Sequence, residues 1–383
     1  MRLPRVVYWN NIPSPYMVER FNAVARRGNL DFQAWFNARL EPGRSWAVDE
    51  STWEFPYRYL SSVAVDGRRL SVPTPLLRRD LPDLLVSLYA EPSFLLGWWL
   101  ARRRGVRTAF WCEVTFDRWV RRRQWKERLK RSIFPGLDAT LGSGEQSRAF
   151  ARRYGVSPER ALLLPHVIDV AHFVTGREKA MHSRDQARAE LGLRGVTFIY
   201  VGRMWWGKGL GHLLDAFSAL QRRTQEEVSL LLVGDGPEEA HLRTRTQAEG
   251  LRNVAFAGFV QKPELPRYYN MADVFVFPTL GDPYGLVVDE AMACSLPVIS
   301  TSAAGEIGDR IEHGVNGYIV PPENSAALLD RMERLARDPE LRARMGEASA
   351  RKIGGHTPER WAEDFERAVE RILSMPEPGG RGA

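Results

Sequence analysis

The chain has 383 residues, a hydrophobic content of 44% and a net charge of +7, so it is long enough to bury a large core and to form two domains. Its two cysteines, Cys112 and Cys294, have no Cys or His partner at metal-ligand spacing, which excludes a metal site of that kind and fits a reducing compartment. The first residues lack the features of a signal peptide, and no apolar run approaches the roughly 18 residues of a spanning helix, so we expect a cytoplasmic protein that is soluble or peripherally bound to a membrane.

Short apolar runs alternate with longer segments of helical period along the chain. This alternation predicts an α/β protein with parallel sheets covered by helices. In the first half, helices are predicted after Pro15, Ser93 and Glu145. The strands predicted there are 5–9, 31–36, 84–88, 107–111 and 139–142.

A basic segment follows the fourth of these strands. Residues 117–131 hold eight basic and two acidic side chains, a net charge of +6, and so account for nearly all of the charge of the chain. Such a segment binds phosphate-rich partners such as nucleic acid, anionic lipid or a charged acceptor. A solvated surface helix is the alternative, and the charges alone leave both open.

The strand pattern starts again after a polar stretch at 176–193, and we place the linker between the domains at the start of that stretch. A last helix is predicted from Thr357, as N-cap, and Pro358, with an apolar stripe from Trp361 to Ile372. The predicted domains are 1–175 and 176–355, followed by a helix at 356–374 and a disordered tail at 375–383. The strands predicted in the second half are 197–201, 229–233, 254–257, 274–277, 298–301 and 318–320.

The segment 198–210, FIYVGRMWWGKGL, combines a strand, a glycine-bounded turn and the start of a helix. Open α/β sheets bind anions at such a turn, and Arg203 and Lys208 add two cations. The segment nearly matches a P-loop, but Gly209 stands where the magnesium-binding hydroxyl is needed, and the bulky Trp205 and Trp206 also argue against a nucleoside triphosphatase. A plain strand-to-helix turn with surface cations is the alternative.

The segment 230–238, LLLVGDGPE, ends a buried strand in Gly-Asp-Gly-Pro. This tetrapeptide is ordinary turn chemistry, and on its own the segment favours a plain turn over a binding site.

Two acidic residues eight positions apart lie in segment 274–308, Asp282 in a predicted loop and Glu290 in the first turns of a helix. Between them, the backbone N–H groups of Gly285, Leu286 and Val287 lie near the helix N-terminus and suit a diphosphate. A carboxylate such as Glu290 can accept two hydrogen bonds from a vicinal diol such as ribose. For an isolated pair of acids, ordinary surface positions would be the better interpretation.

Taken together and in order, these motifs resemble the retaining GT-B glycosyltransferases of family 4. The resemblance is strong over 197–325 and looser before it, where LPHVID at 164–169 is similar to the interdomain segment of the family. It implies a GT-B fold, in which two Rossmann-like domains face each other across a cleft and a C-terminal helix crosses back to the N-terminal domain. The motifs are GR and KG at 202–203 and 208–209, VGDGP at 233–237, FP at 277–278, DPYGL at 282–286, EAMA at 290–293, LPVI at 296–299, GVNG at 314–317 and PP at 321–322.

The resemblance also implies a role for each matching residue of the nucleotide-sugar-binding C-terminal domain. Arg203 and Lys208 would hold the donor diphosphate, Glu290 the ribose hydroxyls, and Asp282 the donor sugar. The backbone near Gly258 and Phe259 would line the nucleobase pocket. The donor-binding residues implied in this way are Gly202, Arg203, Lys208, Gly258, Phe259, Asp282, Tyr284, Gly285, Leu286, Val287 and Glu290.

The chain departs from the family pattern at three places. Asp282 stands where the family has a glutamate, so its reach is one methylene shorter. The first turn has little glycine, and Asn10 and Ser14 become the candidates for acceptor binding in the N-terminal domain. Glu113 follows the strand after which relatives often have a histidine, and it is our candidate for a catalytic role there, with a simple loop acid as the alternative.

The function that the resemblance implies is metal-independent transfer, with retention, from a UDP-, GDP- or other nucleotide-diphosphate sugar to a saccharide or lipid-linked saccharide. The setting would be cell-surface polysaccharide or lipopolysaccharide biosynthesis, with no cofactor and no nucleic-acid partner. The catalytic residues would be Arg203, Lys208, Asp282 and Glu113. Because tryptophans alternate with cations in 118–131, we expect this segment to contact the inner face of the cell membrane.

Two other classes of function stay open at this point. A GT-B epimerase or phosphorylase would share the fold, although the chain has no recognisable pyridoxal lysine motif or catalytic carboxylate set for one. A non-catalytic protein that binds nucleotides or nucleic acid through the basic segment is the other alternative.

Overall fold

Two parallel β-sheets, one in each of two compact units, form the framework of the chain. The computed structural model describes residues 2–41, 46, 48–65, 68–89, 91–113 and 124–378. The first unit holds the described residues up to Glu113, those from Gln124 to Val167 and those from Thr357 onward. The second unit runs from Ile168 to His356.

The strands of the first unit are β1 (Arg5–Asn10), β2 (Asp31–Phe36), β3 (Tyr57–Tyr59), β4 (Ser62–Val65), β5 (Arg68–Ser71), β6 (Leu84–Ser87), β7 (Arg107–Cys112), β8 (Ala139–Gly142) and β9 (Ala161–Leu163). Those of the second unit are β10 (Val196–Val201), β11 (Val228–Val233), β12 (Val254–Gly258), β13 (Val274–Phe277), β14 (Val298–Thr301) and β15 (Gly317–Val320). Every strand predicted from the sequence is confirmed, with bounds that differ by one residue at most.

The α-helices, in chain order, are α1 (Pro15–Arg27), α2 (Pro92–Arg103), α3 (Gln124–Ile133), α4 (Glu145–Arg153), α5 (Val170–Ala180), α6 (Arg184–Glu190), α7 (Leu210–Arg223), α8 (Glu239–Ala248), α9 (Leu265–Asn270), α10 (Leu286–Ala293), α11 (Ile307–Arg310), α12 (Ser325–Arg337), α13 (Pro339–Ile353) and α14 (Pro358–Ser374). The helices α1 to α4 and α14 belong to the first unit, and the others to the second.

The sheet of the first unit has the strand order β3-β2-β1-β6-β7-β8-β9, and all its pairs are parallel. The strands β3 and β9 and the antiparallel hairpin of β4 and β5 were not predicted from the sequence. These strands have only three or four residues each, which is too short for an apolar period to stand out.

The last helix, α14, packs against α1 in the first unit, so the chain returns to that unit as expected. The hydroxyl of Thr357 caps the helix by accepting a hydrogen bond from the Arg360 N–H at 3.3 Å. The predicted apolar stripe is confirmed, because Trp361, Phe365 and its other members at 369 and 372 are buried in the main core of this unit. These buried side chains contribute roughly 1.5–3 kcal/mol each to the attachment of the helix.

The residues after α14 differ from the prediction of a disordered tail from 375. The carbonyl oxygen of Met375 accepts a hydrogen bond from Arg107 at 2.7 Å, and that of Pro376 accepts one from Arg160 at 2.6 Å. Backbone that is tied down by two guanidinium groups is ordered despite its Pro-rich composition. The rest of the predicted tail, 379–383, lies outside the described residues.

The sheet of the second unit has the order β12-β11-β10-β13-β14-β15, again with all its pairs parallel. The chain continues from β10 to β11 on one side and later returns to β13 on the other side of β10. The carboxyl ends of β10 and β13 therefore form a topological switch point, which is the place where open α/β sheets bind ligands.

The residues at which the sequence analysis placed the linker lie in a helix instead. In α5, Phe173 is fully buried, with its ring centroid 6.1 Å from that of Tyr269 in α9, and Gly176 packs closely on Pro266. These contacts attach α5 to the second unit, so the unit begins at Ile168, earlier than predicted.

Candidate functional site

The loops at the carboxyl ends of β10, β11 and β13 interlock at the switch point of the second unit. The backbone N–H of Gly202 donates to the Val233 carbonyl at 2.9 Å, and the N–H of Met204 donates to that of Asp235 at 2.6 Å. A Cβ at Gly234 would lie 2.0 Å from the Gly202 carbonyl oxygen, and one at Gly236 would lie 2.2 Å from that of Met204. The Gly-Asp-Gly turn therefore holds the loop at 202–204 in place. The sequence of the turn alone did not indicate this role.

Lys208 and Asp282 form an ion pair between the loop that follows β10 and the loop that follows β13. Their side chains are only 14% and 13% exposed. The Lys208 ammonium also lies 5.3 Å from the centre of the Phe277 ring, and the second Asp282 oxygen accepts a hydrogen bond from the Tyr284 N–H at 2.9 Å. The fold thus brings together two of the predicted site residues, and it fixes the carboxylate on both sides.

Arg203 lies in the same loop, but its side chain is exposed. Its carbonyl oxygen accepts a hydrogen bond from the Tyr200 hydroxyl at 3.0 Å, and burial raises the pKa of this hydroxyl well above its usual value. The guanidinium makes no hydrogen bond or ion pair with the residues that the structure describes. The backbone at Arg203 is therefore anchored, while its charge is available to an anion.

The N-terminus of α10 is held by a buried arginine from α11. Gly285 precedes the helix with φ at +74°, in the left-handed region that favours glycine. Arg310 donates to the Gly285 and Gly305 carbonyl oxygens at 3.0 Å each and also to that of Tyr284, and it pairs with Asp289 at 3.1 Å. The loop between Asp282 and α10 is thus bound to the protein through its own carbonyl groups. Within the described part of the chain, the backbone N–H groups at 285–287 donate no hydrogen bond, as expected at a helix N-terminus, so they can face a ligand.

Glu290 lies in the interior of α10 and is completely buried. Its carboxylate accepts a hydrogen bond from the hydroxyl of Tyr269, also buried, at 2.7 Å. The same hydroxyl is 3.3 Å from the carbonyl oxygen of Val287 in the first turn of α10. The position proposed for ribose binding is therefore connected to the backbone at the helix N-terminus.

Gly258 and Phe259, the residues expected to line the nucleobase pocket, lie at the carboxyl end of β12. The Gly258 carbonyl oxygen accepts a hydrogen bond from the Gly234 N–H at 2.7 Å, which joins this end of the sheet to the Gly-Asp-Gly turn. The Phe259 ring is 41% exposed, so it offers an aromatic face to a planar ligand.

In the first unit, the two residues expected to bind the acceptor shape the turn after β1. Ser14 is the N-cap of α1 and accepts a hydrogen bond from the Met17 N–H at 3.4 Å. The Asn10 side chain accepts one from the Asn11 N–H at 2.6 Å. Both side chains therefore have local structural partners.

Glu113 is held by two hydrogen bonds directly after β7. One of its oxygens accepts from Trp111 Nε1 at 2.7 Å and from His166 Nε2 at 2.7 Å. Burial raises the pKa of this carboxyl, but the interaction with His166, the two hydrogen bonds and the charge of Arg20 together lower it to about 2. Glu113 could be predicted from its own position in the sequence, but its partners could not, because His166 and Arg20 are 53 and 93 residues distant from it in the chain.

The basic segment is described from Gln124 onward, while 118–123 lies outside the described residues. Its described part is the amphipathic helix α3, in which Leu129 packs against the core and Trp125 is 57% exposed. Arg128 and Arg131 are also exposed.

Across the described ranges, the structure contains no cluster of three or more His, Cys, Asp or Glu side chains that could hold a metal ion. In those same ranges no helix is both long and apolar enough to cross a membrane.

Comparisons with known proteins agree with this architecture. Residues 183–352 match the family model of glycosyl transferases group 1. The chain is 33% identical over 153 residues to an alpha-D-kanosaminyltransferase of Streptomyces kanamyceticus, covering 40% of this chain and 39% of that protein. It is 31% identical over 239 residues to a D-inositol 3-phosphate glycosyltransferase of Pseudarthrobacter chlorophenolicus, covering 60% and 55%. The matches thus span about half or less of the length of these relatives.

The fold is shared over a longer range than the sequence. The structure of Anabaena Alr3699/HepE in complex with UDP superimposes with a TM-score of 0.77 at 17% identity, covering 98% of this chain and all of that one. Residues 183–352 therefore belong to the family of glycosyl transferases group 1, in a chain whose two Rossmann-like units have the GT-B fold.

Proposed function

We propose that this chain is a retaining glycosyltransferase, which moves a sugar from a nucleotide-diphosphate sugar to a saccharide or lipid-linked saccharide acceptor. The observation that carries the proposal is the pairing of Lys208 with Asp282 at the switch point of a unit that belongs to glycosyl transferases group 1. A cation, a carboxylate and the N-terminus of α10 meet there, and this combination suits a donor with a diphosphate and a sugar.

The donor would be bound by the loops of the second unit. Arg203 and Lys208 supply positive charge for the diphosphate, and the N–H groups at 285–287 add the dipole of α10. Asp282 is assigned to a hydroxyl of the donor sugar, and Glu290 to the ribose. The exposed ring of Phe259 would stack on the nucleobase. The UDP complex of the structural relative supports a nucleoside diphosphate, and we propose UDP, GDP or a related nucleotide.

The chemistry that these groups support is direct displacement at the anomeric carbon. The acceptor hydroxyl oxygen forms a bond to that carbon while the bond to the diphosphate oxygen breaks and its electron pair stays with the phosphate. The departing phosphate takes the hydroxyl proton on the same face, which gives retention. The charges of Arg203 and Lys208 stabilise the leaving group, so we propose transfer without a metal ion or other cofactor.

We also propose that the acceptor is reached at the cytoplasmic face of the cell membrane, in the biosynthesis of a surface polysaccharide or lipopolysaccharide. The exposed Trp125, Arg128 and Arg131 of α3 support contact with anionic lipid. Cys112 and Cys294 are both free and buried, which fits a reducing compartment. The relatives are named for different sugars and acceptors, so their names support glycosyl transfer and leave the acceptor class broad.

The donor site can be tested by thermal unfolding in the presence of a panel of UDP-, GDP- and ADP-sugars. A matching donor at 100 times its dissociation constant adds about 2.7 kcal/mol of stability, and this raises Tm by roughly 5–10 °C for a unit of this size. Lys208→Ala should lose that shift, because the diphosphate loses a cation. Lys352→Ala removes an exposed lysine from α13 and should keep it.

Turnover with the matching donor then identifies the reaction. The proposal requires release of the nucleoside diphosphate together with a new glycosidic bond of unchanged anomeric configuration, seen by NMR of the product. An epimerised sugar, consumption of free phosphate, or binding without any turnover would each contradict it, as would a panel in which no nucleotide sugar raises Tm.

A further inference from the structure

A chain of hydrogen bonds connects three polar side chains in the first unit. Arg20 of α1 and His166, after β9, are buried, and their Nη1 and Nδ1 atoms are 2.9 Å apart. His166 Nε2 is 2.7 Å from Glu113. Because a guanidinium can only donate, His166 Nδ1 must accept from Arg20. The remaining hydrogen of a neutral imidazole is then on Nε2, from which it is donated to Glu113.

Arg20 is fixed in the orientation that this arrangement needs. Its guanidinium carbon lies 5.1 Å from the ring centre of Trp361 and 5.8 Å from that of Trp111, and its Nε donates to the Tyr16 carbonyl oxygen at 3.2 Å. A second proton on His166 would bring an N–H on Nδ1 against the N–H of this immobile cation. Arg20 therefore keeps His166 in the neutral Nε2–H form.

Within the described part of the chain, the Glu113 carboxylate has one hydrogen-bonded oxygen and one oxygen without a hydrogen bond, which we call the open oxygen. One Glu113 oxygen takes both hydrogen bonds, from Trp111 and His166. The other oxygen accepts no hydrogen bond from the described part of the chain, and the side chain is 35% exposed. The other titratable groups of the described chain that interact with Glu113 include Arg20 and three groups whose pKa is raised by burial, namely Tyr8, Tyr89 and Cys112.

This arrangement distinguishes between two roles for Glu113. A general base works best when its pKa is near the working pH, whereas the hydrogen bonds from Trp111 and His166 and the charge of Arg20 favour the ionised form of Glu113, which makes it a poor proton acceptor at neutral pH. The same carboxylate is a strong hydrogen-bond acceptor, because it stays ionised and cannot rotate.

We propose that Arg20 and His166 are positioning residues that aim the open oxygen of Glu113 at a hydroxyl group of the saccharide substrate. His166 donates to Glu113 and fixes its orientation, and Arg20 fixes the tautomer of His166. This inference rests on the proposed glycosyl transfer for its substrate, whereas the hydrogen-bonded chain itself can be tested without any turnover.

The tautomer can be read from the nitrogen chemical shifts of ¹⁵N-histidine-labelled protein, with the His166→Gln variant assigning the signal. We expect the Nε2–H pattern in the wild type from pH 6 to 8. In Arg20→Met the donor to His166 Nδ1 is lost, and we expect a mixture of tautomers or an imidazolium in that range. A wild-type His166 that is protonated on Nδ1, or an unchanged pattern in Arg20→Met, would overturn the proposal whether or not the enzyme turns over.

The role in transfer is tested by the pH profile of kcat/KM. His166→Phe removes the donor to Glu113 and should lower kcat/KM by roughly tenfold or more. The variant should also raise the pKa of Glu113, because the hydrogen bond from His166 no longer opposes the effect of burial. A fall of kcat/KM on acidification should then become measurable. His166→Gln keeps an N–H donor at a similar position and should recover most of the loss and the flat profile. Equal losses of kcat/KM in His166→Phe and His166→Gln, with an unchanged pH profile, would show a merely structural role. A wild-type protein without turnover would refute the proposed function alone.

Discussion

Glu290 combines a buried, hydrogen-bonded position with the ribose-binding role that we propose for it. It is completely buried, and the Tyr269 hydroxyl donates to it at 2.7 Å while lying 3.3 Å from the Val287 carbonyl oxygen. A buried carboxylate is stable only when its oxygens are hydrogen-bonded, and the diol of a ribose can supply such bonds as well as a protein can. Removing the charge of Glu290 separates the two roles, because a structural role would affect the stability of the protein and a ribose-binding role would affect its affinity for the nucleotide.

We predict that Glu290→Gln weakens nucleotide binding by at least about tenfold while the unliganded protein loses little stability, because a charged hydrogen-bond acceptor is worth roughly 1.5–3 kcal/mol. Tyr269→Phe serves as the matched control. It removes one internal donor to the carboxylate and should cost roughly 1.5–3 kcal/mol of stability, with a smaller effect on affinity. Titration with the nucleoside diphosphate and urea unfolding measure the two quantities. A loss of stability in Glu290→Gln without a loss of affinity would make the residue purely structural.

At the level of single residues, the sequence predicts what a motif contains but not what the motif contacts. Lys208 and Asp282 are 74 positions apart, and each could be singled out because its own motif is specific. Arg310 and His166 were not assigned to a site, because their partners come from other elements. A buried arginine or histidine is recognised by its surroundings, and those exist only after folding.

At the level of elements, the loop before α10 owes its shape to a residue in α11. Arg310 binds three backbone carbonyl groups of the segment 284–305 and also Asp289, whose side chain is completely buried. Its guanidinium carbon also lies 4.0 Å from the centre of the Tyr284 ring. One side chain thus fixes both the loop that follows Asp282 and the first turn of α10, the helix to which we assign donor binding.

We predict that Arg310→Met destabilises the protein by about 3–5 kcal/mol, because Asp289 then stays buried without its arginine. Adding Asp289→Leu should restore part of that stability, since a buried ion pair can be replaced by apolar groups of similar volume. The double variant should nevertheless bind the nucleotide sugar poorly, because the carbonyl groups of the loop have still lost their donor. Urea unfolding and donor titration test the two parts, and wild-type affinity in the double variant would contradict the positioning role of Arg310.

The strands that build the site could be predicted because their apolar runs are long and end in turn residues. The short edge strand β9 and the hairpin of β4 and β5 could not, since three or four residues carry no period. The helix α5 was missed for another reason. Its polar composition resembles a linker, and only the burial of Phe173 against Tyr269 attaches it to the second unit.

At the level of the whole molecule, the charge is concentrated rather than spread. Residues 117–131 carry a net charge of +6 out of +7, so the rest of the chain is close to neutral. A protein whose net charge lies mostly in one segment has a directional field, and an anionic surface would attract it at that segment, of which α3 is the described part. The exposed Trp125 adds an aromatic group that prefers the membrane interface.

The membrane proposal predicts sedimentation with vesicles that contain anionic lipid, and much less with vesicles of neutral lipid. Each basic residue near an anionic surface contributes about 1 kcal/mol, so Arg128→Gln/Arg131→Gln should weaken binding by roughly 30-fold at low salt. Arg351→Gln/Lys352→Gln removes the same two charges from α13 in the second unit and should bind almost as the wild type does. Because the attraction is screened, the difference between the two variants should shrink as salt is added. Equal weakening in both would mean that net charge alone drives binding, and no weakening in either would remove α3 from the interface.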